Sequence, residues 1–276
     1  MLTIAIAQST ITDDVRRNGE HIRALIAEAA QAGARLVHFP EAALSGYVGA
    51  QITSWDNEDW DLIHDELCKI QTAVKAAKIW VAVGCNHRLT PPNRPHNSLF
   101  VFSDTGDLST RYDKRFCSHT EITSWYSPGR HSRMFSVDGY TFGCALCIEI
   151  QFPTIFSGYE TQNVDAVLFS AYSDDPMFWT QAKAHAATNN LWISVSSPAQ
   201  CANGLPGGLI GPNGSVLSRN KKSKPRQMMI ATLDKNAPKL MTALQKARPW
   251  RRQARQGNIY KPGPKGDERS EDPLCF

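Results

Sequence analysis

The sequence predicts an α/β fold built on a mixed sheet. Within residues 3–39 a strand pattern, an amphipathic helix pattern and a second short apolar strand follow one another. The same alternation of helix and strand resumes over residues 153–195. Between and after these stretches, tight-turn signatures mark hairpins, which a purely parallel sheet lacks.

Each element has its own signal. Residues 3–8 alternate as a strand. Residues 18–33 carry Ile22, Leu25, Ile26 and Ala29 at helical spacing, with Gly33 placed to end the helix in the left-handed conformation. Leu36-Val37-His38-Phe39 reads as a short strand stopped by Pro40. A second helix is predicted over 58–78 from Leu62, Ile63, Leu67, Ile70, Val74 and Ala77, and a buried strand over 79–84 follows. One hairpin joins 97–102 to 108–112 through a turn at 104–107; another joins 134–137 to 141–146 through Asp138-Gly139, a strong two-residue turn signal. A helix at 153–162 leads to a strand at 166–169, and a helix at 176–190 leads to a strand at 192–195. A last hairpin turns at Pro212-Asn213-Gly214. From Lys261 to Phe276 the chain is rich in Pro, Gly and charge, so one domain over 1–260 and a tail or arm over 261–276 are expected.

Composition excludes several classes. Hydrophobic residues make up 42% and charged residues 20%, enough for a packed core. A net charge of +4 over this length does not indicate a nucleic-acid partner. No apolar run approaches the roughly 20 residues of a membrane span. The apolar N-terminus lacks a basic leader and reads as a strand, not a signal peptide. Seven cysteines, an odd number, argue for free thiols in a reducing compartment, and a cytoplasmic location is expected.

Three reactive side chains share one context, the end of a predicted strand: Glu41, Lys114 and Cys147. In open α/β sheets ligands bind beyond the carboxyl ends of strands, so three such ends would bring a base, a cation and a nucleophile together. A free thiol has a pKa of about 8.5 and is mostly protonated at neutral pH. A carboxylate such as Glu41 can take that proton and later return it to a leaving nitrogen. An ammonium such as Lys114 favours thiolate and can bind the oxyanion of a tetrahedral intermediate, with the Ile148 N–H as a second donor.

These stretches resemble the nitrilase, or carbon–nitrogen hydrolase, superfamily. The resemblance is carried by Phe39-Pro40-Glu41 with Leu44-Ser45-Gly46-Tyr47, by Arg111-Tyr112-Asp113-Lys114, and by Cys147-Ile148-Glu149-Ile150-Gln151-Phe152-Pro153, in that order, over residues 3 to about 233. The resemblance implies a four-layer α-β-β-α sandwich with two mixed sheets. It implies hydrolysis of a small linear amide through a Cys147 acyl-thioester, with Glu41, Lys114 and Cys147 as catalytic residues. Glu121, ahead of Pro128-Gly129, fits a supporting glutamate. No metal or organic cofactor is expected, and a homodimer is, with the segment from Arg248 onward as a stabilising arm. The chain departs from the family pattern at Lys183, His185, Thr188-Asn189 and Ser196-Ser197, which bears on substrate more than on mechanism.

Other readings compete. Cys144-Ala145-Leu146-Cys147 has the spacing of a redox pair or half a zinc site, but strand residues three apart face opposite ways and no second pair exists. An acidic loop residue such as Glu121 is ordinarily solvated. His38 is expected to be packed or capped in its strand, and His119 either lines the site or lies on the surface. Lys221-Lys222-Ser223-Lys224 and Arg251-Arg252 read as a solvated face or a subunit contact. Tyr47, Trp125, Tyr126, Tyr172 and Trp179 could wall a small pocket, with core packing the alternative for Trp179. An N-carbamoyl amino acid hydrolase would need a carboxylate-binding arginine such as Arg130 or Arg133. A nitrilase, and a catalytically silent metabolite- or partner-binding protein, are the remaining alternatives.

Overall fold

A computed structural model describes residues 1–220, 226–260 and 266–274. In chain order its main elements are β1 (Leu2–Ser9), α1 (Val15–Gln31), β2 (Leu36–His38), α2 (Trp60–Ala77), β3 (Trp80–His87), β4 (His96–Phe102), β5 (Leu108–Asp113), β6 (Met134–Val137) and β7 (Tyr140–Leu146). There follow α3 (Pro153–Thr161), β8 (Ala166–Ser170), α4 (Met177–Asn189), β9 (Trp192–Ser196), β10 (Gly208–Ile210), β11 (Val216–Arg219), β12 (Arg226–Leu233) and α5 (Arg248–Arg255).

The strands form two six-stranded sheets, ordered β12-β1-β2-β3-β4-β5 and β11-β10-β9-β8-β7-β6. Each has a parallel centre, β1-β2-β3 in one and β7-β8-β9 in the other, flanked by antiparallel strands. Leu2, Ile4, Ile6 and Leu36 of the first sheet meet Phe142, Leu146, Leu168 and Trp192 of the second in a shared interior. The outer face of the first sheet packs on α1 and α2 through Ile22, Leu25, Ile63 and Ile70. The outer face of the second packs on α3 and α4 through Phe156, Tyr159, Phe178 and Ala182. The result is the expected α-β-β-α sandwich.

Local chemistry sets the boundaries. Helix α1 starts at Val15, three residues before the expected 18, because the Asp14 side chain accepts from the N–H groups of Arg16 and Arg17. Asp138 and Gly139 both take positive φ, as a two-residue hairpin turn requires. Strand β12, which no turn signal announces, pairs antiparallel with β1 from Leu2↔Leu233 to Ser9↔Arg226. Arg251 and Arg252 are tied down within their own chain and not left on a solvated face. Arg252 and Arg255 both bond the buried Glu160 carboxylate, at 3.0 and 2.7 Å, and Arg251 bonds the Ala187 carbonyl and Asn190. The stretch Lys221–Lys224 lies outside the described residues, as do residues 261–265 and 275–276 of the expected tail.

Towards the carboxyl ends of the central strands the shared interior becomes polar. His38 continues the inward face of Ile4, Ile6 and Leu36, and its ring bonds the Ser194 and Ser170 hydroxyls of the opposite sheet, each at 2.8 Å. Ser196 reaches back the other way to the Ala7 carbonyl at 2.8 Å.

This layer predicts a pH dependence of stability. Burial pushes the His38 pKa down from 6.5 to about 3, so the folded ring stays neutral where the unfolded one is charged. Between those values the unfolded state binds more protons, and stability falls as pH drops. From pH 7 to pH 5 the expected loss is about 2 kcal/mol. Urea midpoints at the two pH values should therefore differ more for the wild type than for His38→Gln. Equal slopes would show that the buried ring is not the cause.

Candidate active site

Glu41, Lys114 and Cys147 meet at one end of the sandwich. Glu41 lies just beyond β2, in a turn whose next residue, Ala42, has φ +56°. This turn lies flat on β3 because residue 84 is glycine: a Cβ there would sit 2.3 Å from the Pro40 carbonyl oxygen and 2.5 Å from the Ala42 nitrogen. Lys114 follows β5, its N–H donating to the Asn97 carbonyl and its carbonyl accepting from Gly129, both at 2.8 Å. Cys147 follows β7 at φ +48°, a conformation a non-glycine residue holds only when its surroundings impose it. The chain then makes a single 3₁₀ turn over Cys147–Gln151 and enters α3.

The centre is a buried ion cluster. The Lys114 Nζ donates to Glu41 Oε1 at 2.9 Å and to Glu121 Oε1 at 2.8 Å. Glu41 also accepts from Asn97 Nδ2 at 2.7 Å and from the Tyr172 N–H at 2.8 Å. Glu121 also accepts from the Tyr47 hydroxyl at 3.1 Å and from the Ser118 N–H at 2.7 Å. The Cys147 thiol lies 3.9 Å from the Tyr172 carbonyl oxygen, so one residue's backbone touches both Glu41 and Cys147. Glu41 and Lys114 are almost wholly enclosed, while Cys147 keeps 8% exposure.

The two carboxylates are pushed apart in acidity. Burial raises the Glu41 pKa, and the Glu121 charge adds to it against the pull of Lys114. Burial also opposes ionisation of Glu121, but Lys114 and the Ser118 and Tyr47 donors outweigh it and hold that pKa down. Lys114 is disfavoured as an ammonium by burial, yet the two carboxylates keep it firmly protonated. The Cys147 thiol is pushed well above its ordinary value by burial and then by Glu41, with Lys114 only partly offsetting them. The lysine was expected to favour a resting thiolate. It stands instead between two carboxylates, and the thiol is neutral at rest.

The expected pocket residues divide. Tyr47 and Tyr172 stack with ring centroids 4.7 Å apart, and the Tyr172 hydroxyl accepts from Gln51 and Gln200. Trp125 and Tyr126 join Tyr47, Val48 and Ile52 in a small cluster. Trp179 is core, its indole donating to the Pro206 carbonyl. Ile148 is half-buried directly after Cys147. His119 is exposed, as are Arg130 and Arg133. His185 bonds the Ile150 carbonyl and stacks on Phe156. Cys144 is sealed in the inter-sheet core while Cys147 belongs to the outer cluster, so the two thiols face opposite ways. Among the described residues no group of three or more His, Cys, Asp or Glu is arranged to hold a metal, and no helix is long and apolar enough to cross a membrane.

Two positions escaped the sequence reading. Asn97 looked like an ordinary hairpin residue. Glu149 lies within the Cys147–Pro153 stretch, and a glutamate two residues after a candidate nucleophile in an apolar stretch is itself a signal. It is fully buried and accepts from the Leu146 N–H at 2.7 Å, the Arg115 N–H at 2.7 Å, the Phe116 N–H at 3.1 Å and the Tyr112 hydroxyl at 2.8 Å. It thus ties the residue before Cys147 to the two residues after Lys114.

Comparison with known proteins gives a consistent picture. The carbon–nitrogen hydrolase family profile matches residues 3–239. The chain is 22% identical over 284 residues to the chloroplastic omega-amidase of Arabidopsis thaliana, covering 93% of this chain and 73% of that protein. It is 21% identical over 202 residues to nitrilase homolog 2 of Dictyostelium discoideum, covering 68% of this chain and 60% of that one. An amidase from Nesterenkonia sp. superposes with a TM-score of 0.77 at 18% identity, over 94% of this chain and 96% of that one. A cysteine-to-alanine mutant of the Nesterenkonia sp. AN1 amidase in complex with butyramide gives 0.76 at 18% identity, over 91% and 96%. At such identity these structures establish the fold.

The Glu149 network predicts a stability effect separable from chemistry. Glu149→Leu strands three backbone N–H groups and a hydroxyl, and should lower stability by about 3 kcal/mol or more. Glu149→Gln keeps one acceptor oxygen and should lose less. Equal urea midpoints for Glu149→Leu and the wild type would remove Glu149 from the framework of the site.

Proposed function

The chain belongs to the carbon–nitrogen hydrolase family, and we propose that it hydrolyses a small linear carboxamide to ammonia and a carboxylic acid through a thioester on Cys147. The observation that carries this reading is the buried Lys114 ammonium held between two carboxylates of opposite acidity, with the Cys147 thiol sharing Tyr172 with one of them.

Groups whose environments push their pKa values apart mark the acid–base roles. Glu41, whose pKa burial raises, is the proton acceptor; Glu121, whose pKa Lys114 holds down, keeps Lys114 charged and in place. The Cys147 sulfur attacks the amide carbon as its proton passes to Glu41. The carbonyl oxygen takes the negative charge and is met by Lys114 and the Ile148 N–H. Collapse breaks the carbon–nitrogen bond, and Glu41 delivers its proton to the departing nitrogen, which leaves as ammonia. Water then attacks the thioester with Glu41 again as base, the acid departs, and Cys147 recovers its thiol. Tyr47 and Tyr172, stacked beside this centre, form one wall of the acyl site.

The amide reading also draws support from the relatives. One is an omega-amidase, and the Nesterenkonia amidase has been solved as mutants with butyramide and with acrylamide added at its active-site cysteine.

The test is ammonia release from short aliphatic amides, ω-amides, carbamoyl amino acids and nitriles. Wild-type release from amides, abolished in Cys147→Ala and reduced at least about a hundredfold in Glu41→Gln, is the expected result. Release from nitriles or carbamoyl compounds in preference to every amide would replace the amidase reading. Unchanged turnover in Cys147→Ala would end it.

A further inference from the structure

We propose that His38 is a positioning residue for the Cys147 reaction: its neutral imidazole, protonated on Nε2, bolts the strand that delivers Glu41 to the strand that delivers Tyr172. The proposal rests on the roles given above to Glu41 and Cys147.

The hydrogen-bond directions fix the tautomer. The Ser170 hydroxyl donates to the Phe39 carbonyl at 3.0 Å, and a carbonyl can only accept. Having spent its one proton there, Ser170 must accept at its contact with His38 Nε2, 2.8 Å away, so Nε2 carries the hydrogen. Nδ1 is then an acceptor and takes the Ser194 proton at 2.8 Å. The chain of donors runs Ser194 to His38 to Ser170 to Phe39, from β9 to β2, back to β8, and again to the segment leading out of β2. Burial alone lowers the ring's pKa, in keeping with a neutral imidazole.

What this chain joins gives it a function. Phe39 is two residues before Glu41, and Ser170 is two residues before Tyr172. Tyr172 is where the sheets meet chemically: its N–H holds Glu41 at 2.8 Å and its carbonyl lies against the Cys147 sulfur. The His38–Ser170–Phe39 link therefore sets the separation of the two strand ends that carry base and nucleophile contact. An apolar side chain at 38 would fill the space but leave the Ser194 hydroxyl without its acceptor and the Ser170 oxygen without its donor, so that only the Ser170–Phe39 bond would tie the two strand ends. Misplacement of about 1 Å at reacting groups costs about a hundredfold in rate.

The experiment compares His38→Leu, His38→Gln and Ser170→Ala with the wild type. A glutamine amide nitrogen occupies the place of Nε2 and can donate to Ser170. We expect kcat to fall roughly tenfold or more in His38→Leu and Ser170→Ala with KM within about twofold, no further loss in the double variant, and recovery of most of kcat in His38→Gln. Ring ¹⁵N resonances of the wild type should show a protonated Nε2 and a bare Nδ1 across neutral pH. The opposite tautomer, or unchanged kcat in a folded His38→Leu, overturns the proposal. If His38→Leu does not fold, Ser170→Ala decides on the same criteria. If the wild type releases ammonia from no amide, the alkylation rate of Cys147 is read in the same variants. Slowing with recovery in His38→Gln then supports the positioning role independently of the substrate, and an unchanged rate overturns it.

Discussion

The placement of one cation governs the rest of the structure. Lys114 is buried between the carboxylates of Glu41 and Glu121, and burying such a cluster is costly unless every remaining lone pair is satisfied. Two carboxylates against one ammonium leave an excess negative charge, so the compensation comes from neutral donors. Asn97 comes from β4, the Tyr172 N–H from beyond β8, the Ser118 N–H from beyond β5, and the Tyr47 hydroxyl from the loop beyond β2. The ion cluster thus requires four separate segments, drawn from both sheets, to arrive at one point. The sandwich geometry supplies that convergence because the parallel strands of each sheet end at the same edge.

A further buried carboxylate, Glu149, is satisfied without an ion pair. Burial raises the Glu149 pKa, and it is met by backbone N–H groups and one hydroxyl rather than by an ion pair. Those N–H groups belong to the residues flanking Cys147 and Lys114. Cys147 and Lys114 are therefore held to one acceptor through their neighbours as well as to their own strands. The strained φ of Cys147 is sustained by that anchorage on one side and by α3, starting at Pro153, on the other.

Much of this was legible in the sequence, and the reasons are particular. Helices α1 and α2 announce themselves by apolar spacing, and the turn at Asp138-Gly139 by residue types that tolerate positive φ. Glu41, Lys114 and Cys147 stand out because each is a reactive side chain where a predicted strand stops. Asn97 and Tyr172 carry no such mark, since what they contribute is an amide and a backbone N–H, which almost any sequence could supply. Strand β12 was missed because Arg226–Leu233 shows little alternation and no turn residues announce it. Its place is fixed by pairing with β1, more than two hundred residues away. The Arg251-Arg252 pair misled for a related reason: its acceptors, the Ala187 carbonyl and Glu160, come together only in the folded chain.

The two cysteines of the Cys-x-x-Cys stretch make the physical point most sharply. Burial pushes both thiols up, so neither is an intrinsically acidic group awaiting a partner. Cys144 stays in β7 with its side chain packed among the apolar residues between the sheets. Cys147, three residues on, leaves the strand at positive φ and meets Glu41, Lys114 and Tyr172. The two thiols differ in place and not in kind. A permanent thiolate beside two carboxylates would add a third negative charge to a buried cluster that has one cation. Keeping the proton on sulfur until the carbonyl arrives avoids that cost, because the charge then passes to an oxygen that Lys114 can meet while the proton passes to Glu41. On the proposed reading, the raised pKa of the nucleophile is therefore a consequence of the same charge balance that fixes Lys114, and proton transfer and attack belong to a single step.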